Sequence, residues 1–220
     1  GYDRWGRLTA FERAAKMRAF GDLIEARRDE LARTLTLDQG KPLVAEAYDE
    51  VAELVEYWRM AAEDAKRLGG ELPNSFSPGK RVMLVRRARG AIGVIRPWNW
   101  PYTMPAELLA PALAAGNTVV WTPAPSTAVC AQALARCIVD ADLPPGVFNL
   151  ATGPGPVVGD EIARNPGLAG IAFIGSTATG NKVAAAAAGK AALLEMGGNG
   201  PPGVMDDANI AAAVAATLVA

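Results

Sequence analysis

Ala91-Ile92-Gly93-Val94-Ile95-Arg96-Pro97-Trp98-Asn99-Trp100-Pro101 is the stretch from which the fold can be read. Its first five residues are small or β-branched, as in a parallel strand covered on both faces. Pro97 and Pro101 each fix φ and push the residue before them out of the helical region, so Asn99 sits on a stiffened loop at a strand end. A side-chain amide held there can donate to an oxyanion. The same residues also suit a loop whose tryptophans plug a gap and whose Asn satisfies a turn.

Downstream, strand and helix signals alternate. Strands are expected at Ala91–Ile95, Thr118–Thr122, Val147–Leu150, Ile171–Ile174 and about Ala192–Glu195, and helices near Pro105–Ala114, Ser126–Asp140, Val157–Arg164 and Ala178–Ala188. Turn signals at Gly116-Asn117, Pro144-Pro145-Gly146 and Asn165-Pro166 separate them. The pattern predicts an α/β fold, a doubly wound, mostly parallel sheet whose ligands lie at the carboxyl ends of its strands.

Upstream, residues 1–90 hold the larger share of the 22 basic and 23 acidic side chains and predict solvated amphipathic helices. Thr9 and Glu12 fit a capping box. Phe11, Ala14, Ala15, Phe20, Leu23 and Ile24 form the apolar side of the helix behind it. Arg27 to Glu30 suggest a break, Leu31, Leu35 and Leu37 a second helix, and Gly40 its C-terminal stop. Ala47, Val51, Leu54, Val55 and Trp58 stripe a long helix from Leu43; such stripes read as core. Residues 69–79 form a linker. Arg81 to Arg89 read as an extended basic segment, an edge strand guarded by Arg or one that pairs with another subunit.

A net charge of −1 and a single short basic run give no reason to expect nucleic acid as a partner. No apolar run is long enough to span a membrane, and the N-terminal residues are unlike a signal peptide. Two cysteines, Cys130 and Cys137, make no disulfide framework, so a cytoplasmic setting is expected. Without histidine, neither Ser-His-Asp nor Cys-His chemistry is available, and no metal site is expected.

At the expected strand ends stand Asn99, then Thr122 to Thr127, then Gly153, Gly155 and Gly159, then Gly175-Ser176-Thr177, then Glu195-Met196-Gly197-Gly198. Gly175 to Thr177 open a helix and can cradle a phosphate, although capping alone also calls for Ser there. The three glycines miss the G-x-G-x-x-G spacing by one residue. Glu195 ends an apolar run, so it is expected to project from a buried strand with a raised pKa and to act as a base; a structural ion pair is the other reading.

Pro97-Trp98-Asn99-Trp100-Pro101, Ala112-Leu113-Ala114-Ala115-Gly116-Asn117-Thr118-Val119-Val120, Phe173-Ile174-Gly175-Ser176-Thr177, Leu194-Glu195-Met196-Gly197-Gly198 and Asp38-Gln39-Gly40-Lys41-Pro42-Leu43 occur in that family's order and form: the chain resembles an aldehyde dehydrogenase over nearly all its length. The resemblance implies a Rossmann-like domain and oxidation of an aldehyde to an acid with NAD or NADP, through a cysteine thiohemiacetal and thioester. It gives Asn99 the oxyanion and Glu195 the water-activating role. It lines the cofactor cleft with Ile95, Pro97, Trp98, Asn99, Thr122, Pro125, Gly155, Gly159, Phe173, Gly175, Ser176 and Met196. By this resemblance residues 1–80 are helices packing on the nucleotide-binding domain, 81–90 an oligomerisation-type segment, 91–195 the NAD(P)-binding core and 196–220 the start of a catalytic region.

Two departures follow. The family's K-P-x-E positions are Thr122 and Pro125 here, which leaves the choice between NAD and NADP open. The family's nucleophilic cysteine follows the Glu-x-Gly-Gly motif, whereas Cys130 and Cys137 precede it on an expected helix and read as core. The chain is therefore expected to be a fragment of a homo-oligomeric enzyme, inactive by itself; the alternative is a non-catalytic module that binds nucleotide or pairs with a subunit. The segment around Gln39 to Leu43 also resembles enzymes of semialdehydes.

Overall fold

Thr9 and Glu12 open the first long helix with reciprocal bonds. The Glu12 backbone N–H donates to Thr9 Oγ1 at 3.2 Å and the Thr9 N–H to Glu12 Oε2 at 2.7 Å, which satisfies helix-end donors that otherwise have no partner. The structure is a computed structural model that describes residues 1–198, 200–201 and 203–219. Its N-terminal part is helical: α1 (Tyr2–Arg7), α2 (Ala10–Ala26), α3 (Arg28–Gln39) and α4 (Tyr48–Arg67), the last entered through a π-helical turn at Leu43–Ala47. The chain breaks at Arg27, and Gly40 ends α3 at φ 86°, a left-handed conformation suited to glycine.

The stripes converge on one core. Phe20 meets Trp58 edge-on, with ring centroids 4.2 Å apart, and ties α2 to α4. Both rings are buried, so Trp58→Ala is expected to cost about 3–5 kcal/mol, measurable by denaturant unfolding. Three residues expected on these apolar sides lie outside. Phe11 is 70% exposed, because it precedes the buried run that begins at Ala14 and nothing covers it. Ala15, one position round from Ala14, is exposed as well. Leu37 is 87% exposed: two residues beyond buried Leu35, it points from the opposite side of α3.

The strand expected over Arg81 to Arg89 does not form within this chain. Among the described residues its pairing is one antiparallel bridge, Glu71 with Leu84, and Met83, Leu84 and Val85 are exposed. No neighbouring strand supplies a further row of donors and acceptors.

From Ala91 the expected alternation is present. β1 (Ala91–Ile95), β2 (Thr118–Thr122), β3 (Phe148–Leu150), β4 (Gly170–Ile174) and β5 (Ala191–Glu195) form one parallel sheet in the order β3-β2-β1-β4-β5. α5 (Thr103–Ala114) and α6 (Ala128–Asp140) join the N-terminal helices over one face, in a core that includes Val94, Val119 and Trp121. α7 (Asp160–Arg164), entered by a π-helical turn at Gly155–Gly159, and α8 (Thr177–Ala186) cover the other, packing Ile162 and Val183 on Ile171 and Phe173. Gly93 has to be glycine for this second layer: a Cβ there would lie 2.5 Å from Ile162 Cγ2 and 2.9 Å from Ile171 Cδ1. A last helix, α9, spans Ile210–Val219. Asn199, Pro202 and Ala220, within the region expected to begin the catalytic part, lie outside the described residues.

β5 differs from expectation. It is an edge strand, with Leu193 54% exposed, and Glu195 is exposed at its end. On the α5 side, β4 and β5 floor an open groove lined by Leu108, Ala112, Ile171 and Leu193, so the strand expected to be buried is open on that face.

The order of strands reverses between β1 and β4, since the chain runs outward from β1 to β3 and then returns to the other side of β1. Such a switch point opens a crevice at the carboxyl ends of the two strands.

Candidate active site

The crevice continues as a cleft of about 430 Å³ between α7 and α8, lined by Ile95, Gly155, Pro156, Gly159, Asp160, Thr179, Lys182 and Val183. Gly155 and Gly159 present no Cβ, and nothing lies within 4 Å of where either Cβ would stand, so both keep open space rather than avoid a protein contact. Thr122 lies opposite Ile95 in the parallel register and so faces the same side of the sheet. Its Oγ1 is buried without a hydrogen-bond partner. Ser176 caps α8 by accepting the Thr179 N–H at 3.3 Å, and the helix N-terminus opens at the head of the cleft.

The expected cofactor residues therefore divide. Ile95, Gly155 and Gly159 line one cleft. Gly175 and Ser176 stand at its helical end, and Thr122 and Pro125 belong to the end of the neighbouring strand and the 3₁₀ turn that follows it. Phe173 is buried in the smaller core, where its ring would lie 2.6 Å from a Gly175 Cβ; Met196 packs over Gly180. Neither is among the residues that line the cleft. Pro97, Trp98 and Asn99 occupy the loop after β1, with Trp98 57% exposed.

That loop is held from the helical layer. Gln39 Nε2 donates to the carbonyls of Trp98 and Asn99 at 3.2 and 2.9 Å. The Asn99 side-chain amide has no hydrogen bond among the described residues and lines a small cleft with Gln39, Lys41, Glu46 and Trp100. Just before the loop, the Arg96 guanidinium is fully enclosed; burial pulls its pKa down to about 10, partly offset by the charges of Glu107 and Glu195. Its Nη2 reaches Glu107 at 3.4 Å, while Nε and Nη1 have no partner.

Neither cysteine is placed to attack a substrate. Cys130 and Cys137 are buried in α6, and burial pushes both thiols up, away from the reactive thiolate. Among the described residues no cluster of His, Cys, Asp and Glu could hold a metal ion, and no helix is long and apolar enough to cross a membrane.

Comparisons with known proteins return the same fold. The model of the aldehyde dehydrogenase family matches residues 1–220. The chain belongs to the aldehyde dehydrogenase family. It is 41% identical over 221 residues to the mitochondrial succinate-semialdehyde dehydrogenase of Arabidopsis thaliana, covering 100% of this chain and 42% of that protein. It is 40% identical to the Escherichia coli succinate-semialdehyde dehydrogenase named for NADP(+), covering 97% and 45%. The crystal structure of succinate-semialdehyde dehydrogenase from Burkholderia pseudomallei superposes with a TM-score of 0.96 at 40% identity, covering 99% of this chain and 45% of that one. This aldehyde dehydrogenase chain thus spans less than half the length of the relatives it matches.

Several residues of the candidate site were given no role by the sequence. Thr179 and Lys182 line the cleft because they stand three and six residues beyond the Ser176 cap, on the helical side that faces α7; that spacing was a usable signal. Arg96 and Glu50 give no such signal, and Gln39 and Lys41 enter the sequence reading only within the motif from Asp38 to Leu43; the packing of the helices against the loop reveals what they touch.

Proposed function

We propose that the protein to which these residues belong oxidises an aldehyde to a carboxylic acid with NAD or NADP, and that residues 91–195 are its cofactor-binding unit. The observation that carries the reading is that a cleft lined by glycines and a proline-bracketed loop with an unbonded amide both adjoin the carboxyl end of β1. The residues fit a dinucleotide: Ser176 and the first turn of α8 for the pyrophosphate, Gly155 and Gly159 for close approach, Thr122 Oγ1 as an unused hydrogen-bonding group. When bound, the nicotinamide supplies the oxidising equivalent. Trp98 and Pro97 border its end of the cleft. Asn99 donates to the oxygen that gains charge as the aldehyde carbon is attacked. Glu195, exposed at a strand end, takes a proton from water.

The presence of Thr122 and Pro125 favours neither dinucleotide: no carboxylate there repels a 2′-phosphate, and no ammonium there attracts one. The similarity to semialdehyde dehydrogenases supports a small aldehyde as substrate. The exposed Met83, Leu84 and Val85 support a role for residues 81–90 in pairing with a second copy of the chain. Two unpaired cysteines suit a reducing compartment such as the cytoplasm.

A second reading, a nucleotide-binding or subunit-pairing module without catalysis, is favoured by the burial of both thiols. One experiment separates them. The protein as its source makes it is weighed by mass spectrometry and assayed for aldehyde-dependent NADH or NADPH formation, beside the 220 residues alone. The proposal expects turnover by a protein heavier than 22.9 kDa and none by the 220 residues. A source protein of 22.9 kDa that quenches its tryptophans with NAD but forms no reduced cofactor supports the module instead.

A further inference from the structure

Lys41 and Glu50 form an ion pair in the interior, with Lys41 Nζ 2.7 Å from Glu50 Oε2 and the two side chains only 5% and 0% exposed. Burying two charges costs desolvation that their attraction need not recover, so such a pair is weak evidence for stability alone. Its remaining contacts all go to one place. Glu50 Oε1 accepts the backbone N–H of Tyr102 at 2.8 Å and that of Thr103 at 3.4 Å. These are donors at the N-terminus of α5, a helix without a side-chain cap of its own. Lys41 Nζ lies 3.6 Å from the centroid of the Trp100 ring. Two residues earlier, Gln39 holds the Trp98 and Asn99 carbonyls.

We infer that Gln39, Lys41 and Glu50 are positioning residues that fix the loop carrying Asn99, leaving its side-chain amide free to meet the substrate oxygen. The inference rests on the reading of Asn99 as the oxyanion donor. Three side chains from the helical layer act on five places between Trp98 and Thr103: two carbonyls, one ring and two backbone N–H groups, on both sides of the Asn99 side chain. The left-handed Gly40 lets Gln39 and Lys41 both face the loop across a helix end. A displacement of about 1 Å in a reacting group can cost about a hundredfold in rate, so a clamp of this kind acts on turnover rather than on cofactor affinity.

The test uses the protein as its source makes it. Lys41→Met/Glu50→Gln removes both charges together, so no lone charge is stranded and an acceptor for the Tyr102 N–H remains; Lys41→Met and Glu50→Gln are made singly beside it. Folding is followed by thermal melting, loop opening by hydrogen exchange at Trp100, Tyr102 and Thr103, and catalysis by kcat and by KM for cofactor. In the double variant, exchange at these amides is expected to rise about tenfold or more while core amides keep their protection. Its kcat falls about tenfold to a hundredfold with cofactor KM unchanged, and the same substitutions made in Asn99→Ala lower kcat no further. Equal falls in both backgrounds, or unchanged loop exchange, overturn the inference. If loop exchange rises but Asn99→Ala itself keeps full kcat, the reading of Asn99 fails, and with it the catalytic role of the clamp, while the clamp on the loop stands.

Discussion

Asn99→Ala lowers kcat of the complete enzyme by about 10²–10³-fold and leaves the cofactor KM near its original value. The expected size follows from where the amide sits. Its loop is stiffened by Pro97 and Pro101, and Gln39 holds the carbonyls of Trp98 and of Asn99 itself, so little reorganisation is needed when charge develops on the substrate oxygen. The Asn99 side chain holds no other group among the described residues, so its removal does not unfold the loop. Steady-state kinetics on the purified variant, with a thermal melt alongside, checks both halves of the expectation. A fall in melting temperature with kcat intact would make Asn99 a turn residue, the plainer alternative that its sequence context also allows.

Gly159→Val weakens binding of NAD or NADP by about a hundredfold or more while the fold is retained. Beyond its chain neighbours and its own helix backbone, no heavy atom of the described residues stands within 4 Å of a Cβ at Gly159, yet the residue lines the cleft, so the added branches enter ligand space and not the core. Its backbone is helical, at φ −66°, which suits any L-residue, and glycine in a helix costs about 0.5–1 kcal/mol relative to alanine. A loss of affinity with unchanged or slightly raised stability is therefore the signature. Calorimetric titration with each dinucleotide gives the affinity and a denaturant melt gives the stability. Gly93→Val makes the control, since there the added atoms meet Ile162 and Ile171, and stability rather than affinity falls.

Most of the sheet was legible in the sequence for a physical reason. A parallel strand buried between two helical layers must be small and apolar at nearly every position, and Ala91–Ile95 and Thr118–Thr122 end where Arg96 and Pro123 interrupt that run. The capping box at Thr9 and the left-handed Gly40 were legible because helix ends impose local chemistry. Exposure was harder to read. Leu194 and Leu193 look alike in sequence, but Leu194 packs on the smaller core while Leu193 faces the open groove. Whether a strand is covered depends on elements far away in the chain, and no local pattern encodes that.

The site shows the same division. Glycines, Ser176 and Asn99 stand at strand ends, where topology alone directs attention. Gln39, Lys41 and Glu50 lie 52 to 60 residues before the groups they hold in sequence-distant contacts, and a Lys and a Glu nine residues apart on paper look like ordinary surface charges. Only their complete burial changes that reading.

The central claim is that the dinucleotide occupies the cleft between α7 and α8. It is tested most directly by backbone amide resonances followed as NAD or NADP is added to the isotope-labelled protein. The account predicts saturable shifts at Gly155, Gly159, Ser176, Thr179 and Lys182, with the apolar groove at Leu108, Ala112 and Leu193 unmoved. Saturable shifts confined to that groove, or none at the cleft with either dinucleotide, would contradict it.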